Sequence, residues 1–458
     1  MEQTKENNLG TQSIGKLLFN MSIPAIIAQV VNVLYNIVDR MYIGHIPNVG
    51  VEALTGVGVT MPLIMAISAF AYLISMGGAP RASIMMGKGR KDTAEKILGN
   101  CTTALIIMSI VLTIIILVFC EKFLMLFGAS KNTIVYAVDF MRMYACGTIF
   151  VQLALGLNTF ITAQGFAKIS MITVLSGAIL SIILDPIFIF VLGLGVKGAA
   201  LANIIAQAVS AVWVIRFLVS SKSLLKIKKE YLKPNMKVLL PCFALGLAPF
   251  IMQITESILS ITFNSSLARY GGDLAVGTMT IMYSVMQFSM LPLNGLSQGG
   301  QPIIGFNYGA KNVGRVKKAF SLLIKSSLTY SITIWIFVML FPQVVAKIFT
   351  GDANLIKASV DALRIYMAVS FMFGIQISCQ QTFIALGNAK TSVFLALLRK
   401  VILLIPFIYV LPLFSSNKVK AVYLSEPIAD FIAVSVTSIM FFLHFKRILK
   451  ELDIQSKQ

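Results

Sequence analysis

Apolar residues gather along this chain in twelve long blocks, near residues 14–39, 53–76, 96–120, 134–157, 168–191, 197–219, 236–262, 274–297, 317–341, 356–381, 390–413 and 419–443. Each approaches the roughly 20 residues that a helix needs to cross a bilayer. The breaks between them are short and mostly polar or basic. The pattern predicts an all-α integral membrane protein with twelve transmembrane helices.

The blocks repeat. "AQGFAKIS" from Ala163 and "ALGNAKTS" from Ala385 lie about 222 residues apart and share A-x-G-x-A-K-x-S. The same offset relates "VDFMRMY" (Val138–Tyr144) to "VDALRIY" (Val360–Tyr366), and "GGAPRASIMMG" (Gly77–Gly87) to "GGQPIIGFNYG" (Gly299–Gly309). Because each copy holds an even number of helices, the two are parallel repeats. They predict two lobes around a central cavity: an N-lobe at 14–219 and a C-lobe at 236–443, with a basic linker at 220–235 and tails at 1–13 and 444–458. Transporters commonly bind cargo at such a repeat interface. Pro80, Pro302, Gly165 and Gly387 are expected in tight turns.

Composition agrees: 57% of the 458 residues are hydrophobic and 12% charged, where soluble domains are nearer ~25% charged. The net charge of +20 does not point to nucleic acid. With the N-terminus inside, the inner loops and tails hold about 24 basic residues and the outer loops about 9. That asymmetry predicts a multi-pass protein of the plasma or inner membrane with both termini cytoplasmic. The basic stretch Ser221–Lys237 reads chiefly as a solvated part of this signal. Cys101, Cys120, Cys146, Cys242 and Cys379 have no framework spacing and read as small hydrophobes. No metal cluster, resident cofactor or removable leader is expected, and a monomer is the expected state.

Charges inside apolar blocks carry the chemistry, because a buried ion is costly unless it is paired, coordinated or protonated. Asp139/Arg142 and Asp361/Arg364 are spaced as same-face pairs and read as structural clamps. Asp39 and Asp185 lack such a partner and fall at similar depth in the first lobe, so they could share a proton or hold Na⁺. Ser181, one turn before Asp185, and Asn203 on the next helix could add oxygens. Pro186 frees a backbone carbonyl in the same place. In the second lobe, Gln253, Glu256, Tyr283, Met286 and Gln287 are candidate cargo contacts. Arg399 and Lys400 lie deep enough to need partners, with Asp430 and Glu426 available.

"VDRMYIGHI" and "LDPIFIFVLGLGVKGAALAN", set in a six-plus-six repeat, resemble the MATE (multidrug and toxic compound extrusion) family over nearly the whole length. The resemblance rests most on Asp39 with Gly44, and on Asp185-Pro186 with Gly195, Gly198 and Ala199. It implies a secondary antiporter that expels drug-like, often cationic compounds against an inward H⁺ or Na⁺ gradient. Asp39 and Asp185 would form its first-lobe cation site, and Glu256 falls where many relatives carry a functional acid. Ser181 and Asn203 depart from the asparagine and threonine common there. Arg399 and Lys400 are unexpected in a pump for organic cations.

The competing transport reading is a flippase or exporter of a lipid-linked or anionic metabolite, gripping phosphate with Arg399 and Lys400. An acidic cavity would favour drug export and a basic one the flippase. A receptor or scaffold would leave the two aspartates unexplained. No nucleotide loop or nucleophile–base pair suggests an enzyme.

Overall fold

The computed structural model describes residues 8–457; the polar stretch before Asn8 and the last residue lie outside it. Each apolar block is a helix. In the first half these are α1 (Ile14–Gly44), α2 (Gly50–Gly87), α3 (Lys91–Leu126), α4 (Ile134–Cys146 with Thr148–Ala163), α5 (Ala167–Pro186, continued by a π-helical turn Ile187–Val191) and α6 (Gly195–Val219). One long stretch, Met236–Gly309, interrupted at Gly272, then supplies α7 (236–271) and α8 (273–309). α9 (Val313–Leu340), α10 (Ala353–Tyr366 with Phe373–Ala385), α11 (Ala389–Leu397, a π-helical segment Leu398–Leu404, then Ile405–Val410) and α12 (Lys418–Lys457) complete the second half.

The stretch Met236–Gly309 has 74 residues. As one straight rod it would run ~110 Å, far beyond a hydrocarbon core of ~30 Å. It reverses at Gly272, whose φ of 60° and ψ of −158° belong to a region open essentially to glycine alone. Among the described residues, nine stretches can span a membrane by length and composition, and α4 and α10, bent by 58° and 49°, count as one span each. The break at Gly272 brings the total to twelve.

Three sequence expectations are corrected here. Gly165 and Gly387 do sit in turns, but Pro80 and Pro302 lie inside α2 and α8. Both are buried where the two helices meet, and Ser83 Oγ donates to the Pro302 carbonyl at 3.2 Å. Asp139 does not clamp to Arg142: its ion pair is with Lys197 of α6, at 3.3 Å. Asp361 and Arg364 form no ion pair among the described residues.

The outer surface is apolar. On α3, Ile107, Ile110, Val111, Ile114, Ile115 and Val118 are all exposed, a contiguous patch of the kind that faces lipid. Each half also has its own core. The cores exchange the first turns of their leading helices, however. The start of α1 (Ile14, Leu17, Leu18, Met21) packs with Ile303, Ile304, Leu323 and Ala385 of the second lobe. The start of α7 (Leu239, Cys242) packs in the first-lobe core with Leu98, Cys101 and Phe160.

Both described ends of the chain lie on one face, here the near face. Arg315 at the start of α9 donates to the Leu9 and Gln12 carbonyls at 2.9 and 2.7 Å, and Phe445, Ile448 and Leu449 of α12 pack on the same cluster. The basic linker between α6 and α7 is on this face too, and it is no free tether. Gln164 Oε1 accepts from the Leu224 and Leu225 amides at 2.8 and 2.9 Å, while Asn100 Oδ1 accepts from the Asn235 amide at 2.6 Å. Lys228 Nζ lies 2.6 Å from Glu95, whose hydrogen bond raises the lysine pKa. The linker is thereby strapped to the first lobe.

The lobes touch along a seam that starts on the near face. An added Cβ at Gly77 would lie 1.8 Å from the Cys242 carbonyl oxygen, and one at Gly246 1.8 Å from that of Leu73. Gly87 and Gly309 meet Phe306 and Ile84 as closely. Backbone contact of this kind is what small residues permit between membrane helices. The seam reaches up to Ser257, whose Oγ lies 3.3 Å from Met65 Sδ.

Candidate functional site

Asp39 and Tyr35 lie one turn apart on α1, and Ser181 and Asp185 one turn apart on α5. All four are buried, as is Asn203 of α6. Asn203 Nδ2 donates to the Tyr35 hydroxyl at 2.5 Å, tying α6 to α1. The structure therefore brings together the four first-lobe residues expected from sequence, with the two carboxylates and the Tyr35 and Tyr144 hydroxyls within electrostatic reach. Among the described residues, no hydrogen-bond partner reaches Asp39 Oδ1, either oxygen of Asp185, or Ser181 Oγ. The adjacent Arg40 is exposed and bonds instead to Met61 Sδ at 3.4 Å. Two buried acids without a basic partner are what a site for a mobile proton or monovalent cation needs.

Just inward of the acids is a cavity of about 180 Å³. Tyr35, Ser181 and Asn203 border it at the acid end, and Ser83, Ala163 and Pro302 at the near-face end. Amides line much of it, from Gln29 and Asn32 on α1 to Gln298 and Gln301 on α8 of the other lobe. Among the described residues, its wall contains no charged side chain. It is neither the acidic nor the basic cavity that the two transport readings anticipate.

The second-lobe candidates lie outside this cavity. Met286 is packed in the second-lobe core beside Met282, so it is a core residue here, whereas Gln287 next to it is exposed. Gln253, Ser257, Ser260 and Asn264 recur on α7 at spacings of three and four, which puts them on one helical face. Glu256 stands at the edge of the same stripe, about 100° around the helix from Ser257. Ser260 and Asn264 are exposed, and Ser257 looks across to α2, so the stripe faces the cleft between the lobes. Glu256 Oε1 is 3.1 Å from Lys400 Nζ. Arg399 Nε donates to Asp430 Oδ1 at 2.5 Å, and its Nη2 is 3.7 Å from Glu426. Arg399 thus has the partners expected from sequence, while Lys400 has Glu256. Tyr283 borders this network, within electrostatic reach of Glu256 and Glu426.

Sequence reasoning missed Tyr35 and Tyr144, which read as ordinary aromatics in apolar blocks. Tyr35 did carry one signal, its position four residues before Asp39. Among the described residues no three His, Cys, Asp or Glu side chains gather as a metal site. All five cysteines are unbridged.

The MatE family model matches the chain twice, over residues 24–187 and again over 249–410. The chain belongs to the MatE family. The double match also restates the repeat, since each lobe of a MatE chain answers to the same pattern. A relative from Staphylococcus haemolyticus, multidrug export protein MepA, is 26% identical over 426 residues, covering 93% of both chains. MepA of Staphylococcus aureus is 25% identical over 396 residues, covering 86% of this chain and 87% of that one. The fold matches a MATE crystal structure in the bent conformation with a TM-score of 0.92 at 23% identity, covering 98% of this chain and 99% of that one. A transporter from Pyrococcus furiosus, described as having a binding pocket of reversed polarity, matches with a TM-score of 0.89, also at 23% identity and with the same coverage of both chains.

Proposed function

We propose that this protein is a secondary antiporter that exports drug-like compounds, organic cations among them, in exchange for inward H⁺ or Na⁺. The observation that carries the reading is the pair Asp39 and Asp185, buried together in the first lobe with carboxylate oxygens that no protein group satisfies. The multidrug export named for its staphylococcal relatives supports it. The bias of basic residues supports placing the near face toward the cytoplasm.

In this mechanism the acids answer to the ion and the amide-lined cavity with its cleft answers to the cargo. Neutralising the pair removes charge from the first lobe and favours one arrangement of α1 and α5. Cargo in the cavity favours the other, and the difference in affinity for the two states moves the equilibrium. No step uses ATP. Arg399 and Lys400 offer little support to an anion flippase, since both are held by carboxylates.

The test is ethidium efflux from cells producing wild type, Asp39→Asn or Asp185→Asn at matched levels. Wild-type efflux should continue until the coupling gradient is collapsed, and the gradient that matters identifies the ion. Either substitution should stop it. Two fully active variants would sink the reading.

A further inference from the structure

Glu256 differs from the two other carboxylates of the Arg399–Lys400 network. Asp430 and Glu426 are buried and held by the buried Arg399, whose side chain is 11% exposed. Glu256 stands at the edge of the cleft-facing stripe of α7 with 33% of its side chain exposed, while its partner Lys400 is 9% exposed. Arg399 and Asp430, by contrast, are enclosed on both sides. Here the cation is inside the lobe and the anion is on the wall.

The local backbone accounts for this division. Arg399 and Lys400 are consecutive on the π-helical segment Leu398–Leu404 of α11. Adjacent residues on a helix point roughly 100° apart, and π-helical turns often re-aim side chains at functional positions. Arg399 turns to α12 and takes both carboxylates there, whereas Lys400 turns to α7. Among the described residues, Glu256 and Lys400 are each other's one partner within ion-pair distance, although Glu426 also lies within electrostatic reach of Lys400.

Resting on the reading of this protein as an exporter, we propose that Lys400 is a specificity-determining residue: a tethered cation that competes with positively charged cargo for Glu256. Cargo that carries a positive charge binds this wall only by sharing or displacing the ammonium. Its affinity is therefore held down, and release is assisted when the lysine returns. Uncharged cargo meets the amides and hydroxyls of the stripe and does not feel the competition. Specificity is a difference of affinities, and a resident competitor lowers one of them selectively.

The proposal is tested on purified full-length protein with tetraphenylphosphonium and the uncharged triphenylphosphine oxide, measuring Kd by calorimetry and turnover in proteoliposomes. Lys400→Met should tighten tetraphenylphosphonium binding by about tenfold, slow its export, and leave triphenylphosphine oxide unchanged. Lys400→Arg should keep wild-type values for both. Unchanged or weaker cation binding by Lys400→Met overturns the proposal. If that variant does not yield monodisperse protein, the uncharged double variant Glu256→Gln/Lys400→Met serves instead. It must lose part of the wild-type preference for the cation, and an unchanged preference overturns the proposal. Wild-type protein that binds neither ligand would overturn the exporter reading itself, a separate and recognisable result.

Discussion

Asp185 and Asp430 are both almost fully buried, yet they face different surroundings. Asp430 is locked by the Arg399 guanidinium, while neither oxygen of Asp185 meets a protein donor. A locked carboxylate holds helices in place, and an open one can exchange an ion. Arg399→Met should therefore act on stability, because it strands Asp430 without its counter-charge and leaves Glu426 only Lys400. A loss of about 3–5 kcal/mol is expected for one broken buried pair, read as a lowered unfolding temperature in detergent. Asn203→Ala should act on transport. It removes the amide that fixes the Tyr35 hydroxyl beside the acids, and loss of one such bond corresponds to about a fivefold fall in efflux. Unchanged ethidium efflux from that variant would show that Tyr35 needs no fixing. The two aspartates were legible in the sequence because an unpartnered charge stands out in an apolar block. The Lys400–Glu256 pair was not, because its members come from different helices and only the turn of α11 chooses between Glu256 and Glu426.

Helix packing follows backbone shape more than side-chain chemistry where α2 crosses α7. Gly77 and Gly246 leave no room for a methyl group between the chains, whereas an added Cβ at Gly58 of α2 meets nothing within 4 Å. Gly77→Val or Gly246→Val should then reduce both the yield of folded protein and the efflux. Gly58→Ala, on the same helix as Gly77, should change neither. Equal yields of all three from size-exclusion chromatography would refute this account of the seam. The helices themselves were readable from apolar run length. Their ends were less so: α7 was expected to stop near residue 262 and runs on to the reversal at Gly272. Pro80 and Pro302 were expected to mark turns because proline usually ends helices. Here the neighbouring lobe packs tightly enough to keep both inside helical stretches.

As a whole, the molecule is shut on its near face and opens away from it. The Leu9–Arg315 contacts, the cluster beneath α1 and the glycine seam all lie toward that face. Ser260 and Asn264 are exposed farther out along α7. In a background without the exposed Cys146, Asn264→Cys should react with a membrane-impermeant maleimide added outside intact cells. Ser83→Cys, buried against Pro302, should not. The reverse pattern would mean that this conformation opens to the cytoplasm. The exchange of first turns has a longer reach. A single six-helix copy would leave the foot of its own leading helix uncovered and its core one helix end short. Two identical copies, each lending that end to the other, would close both gaps at once. A homodimer of one repeat would thus be a complete form of this architecture, and here the strapped linker makes both ends part of one chain.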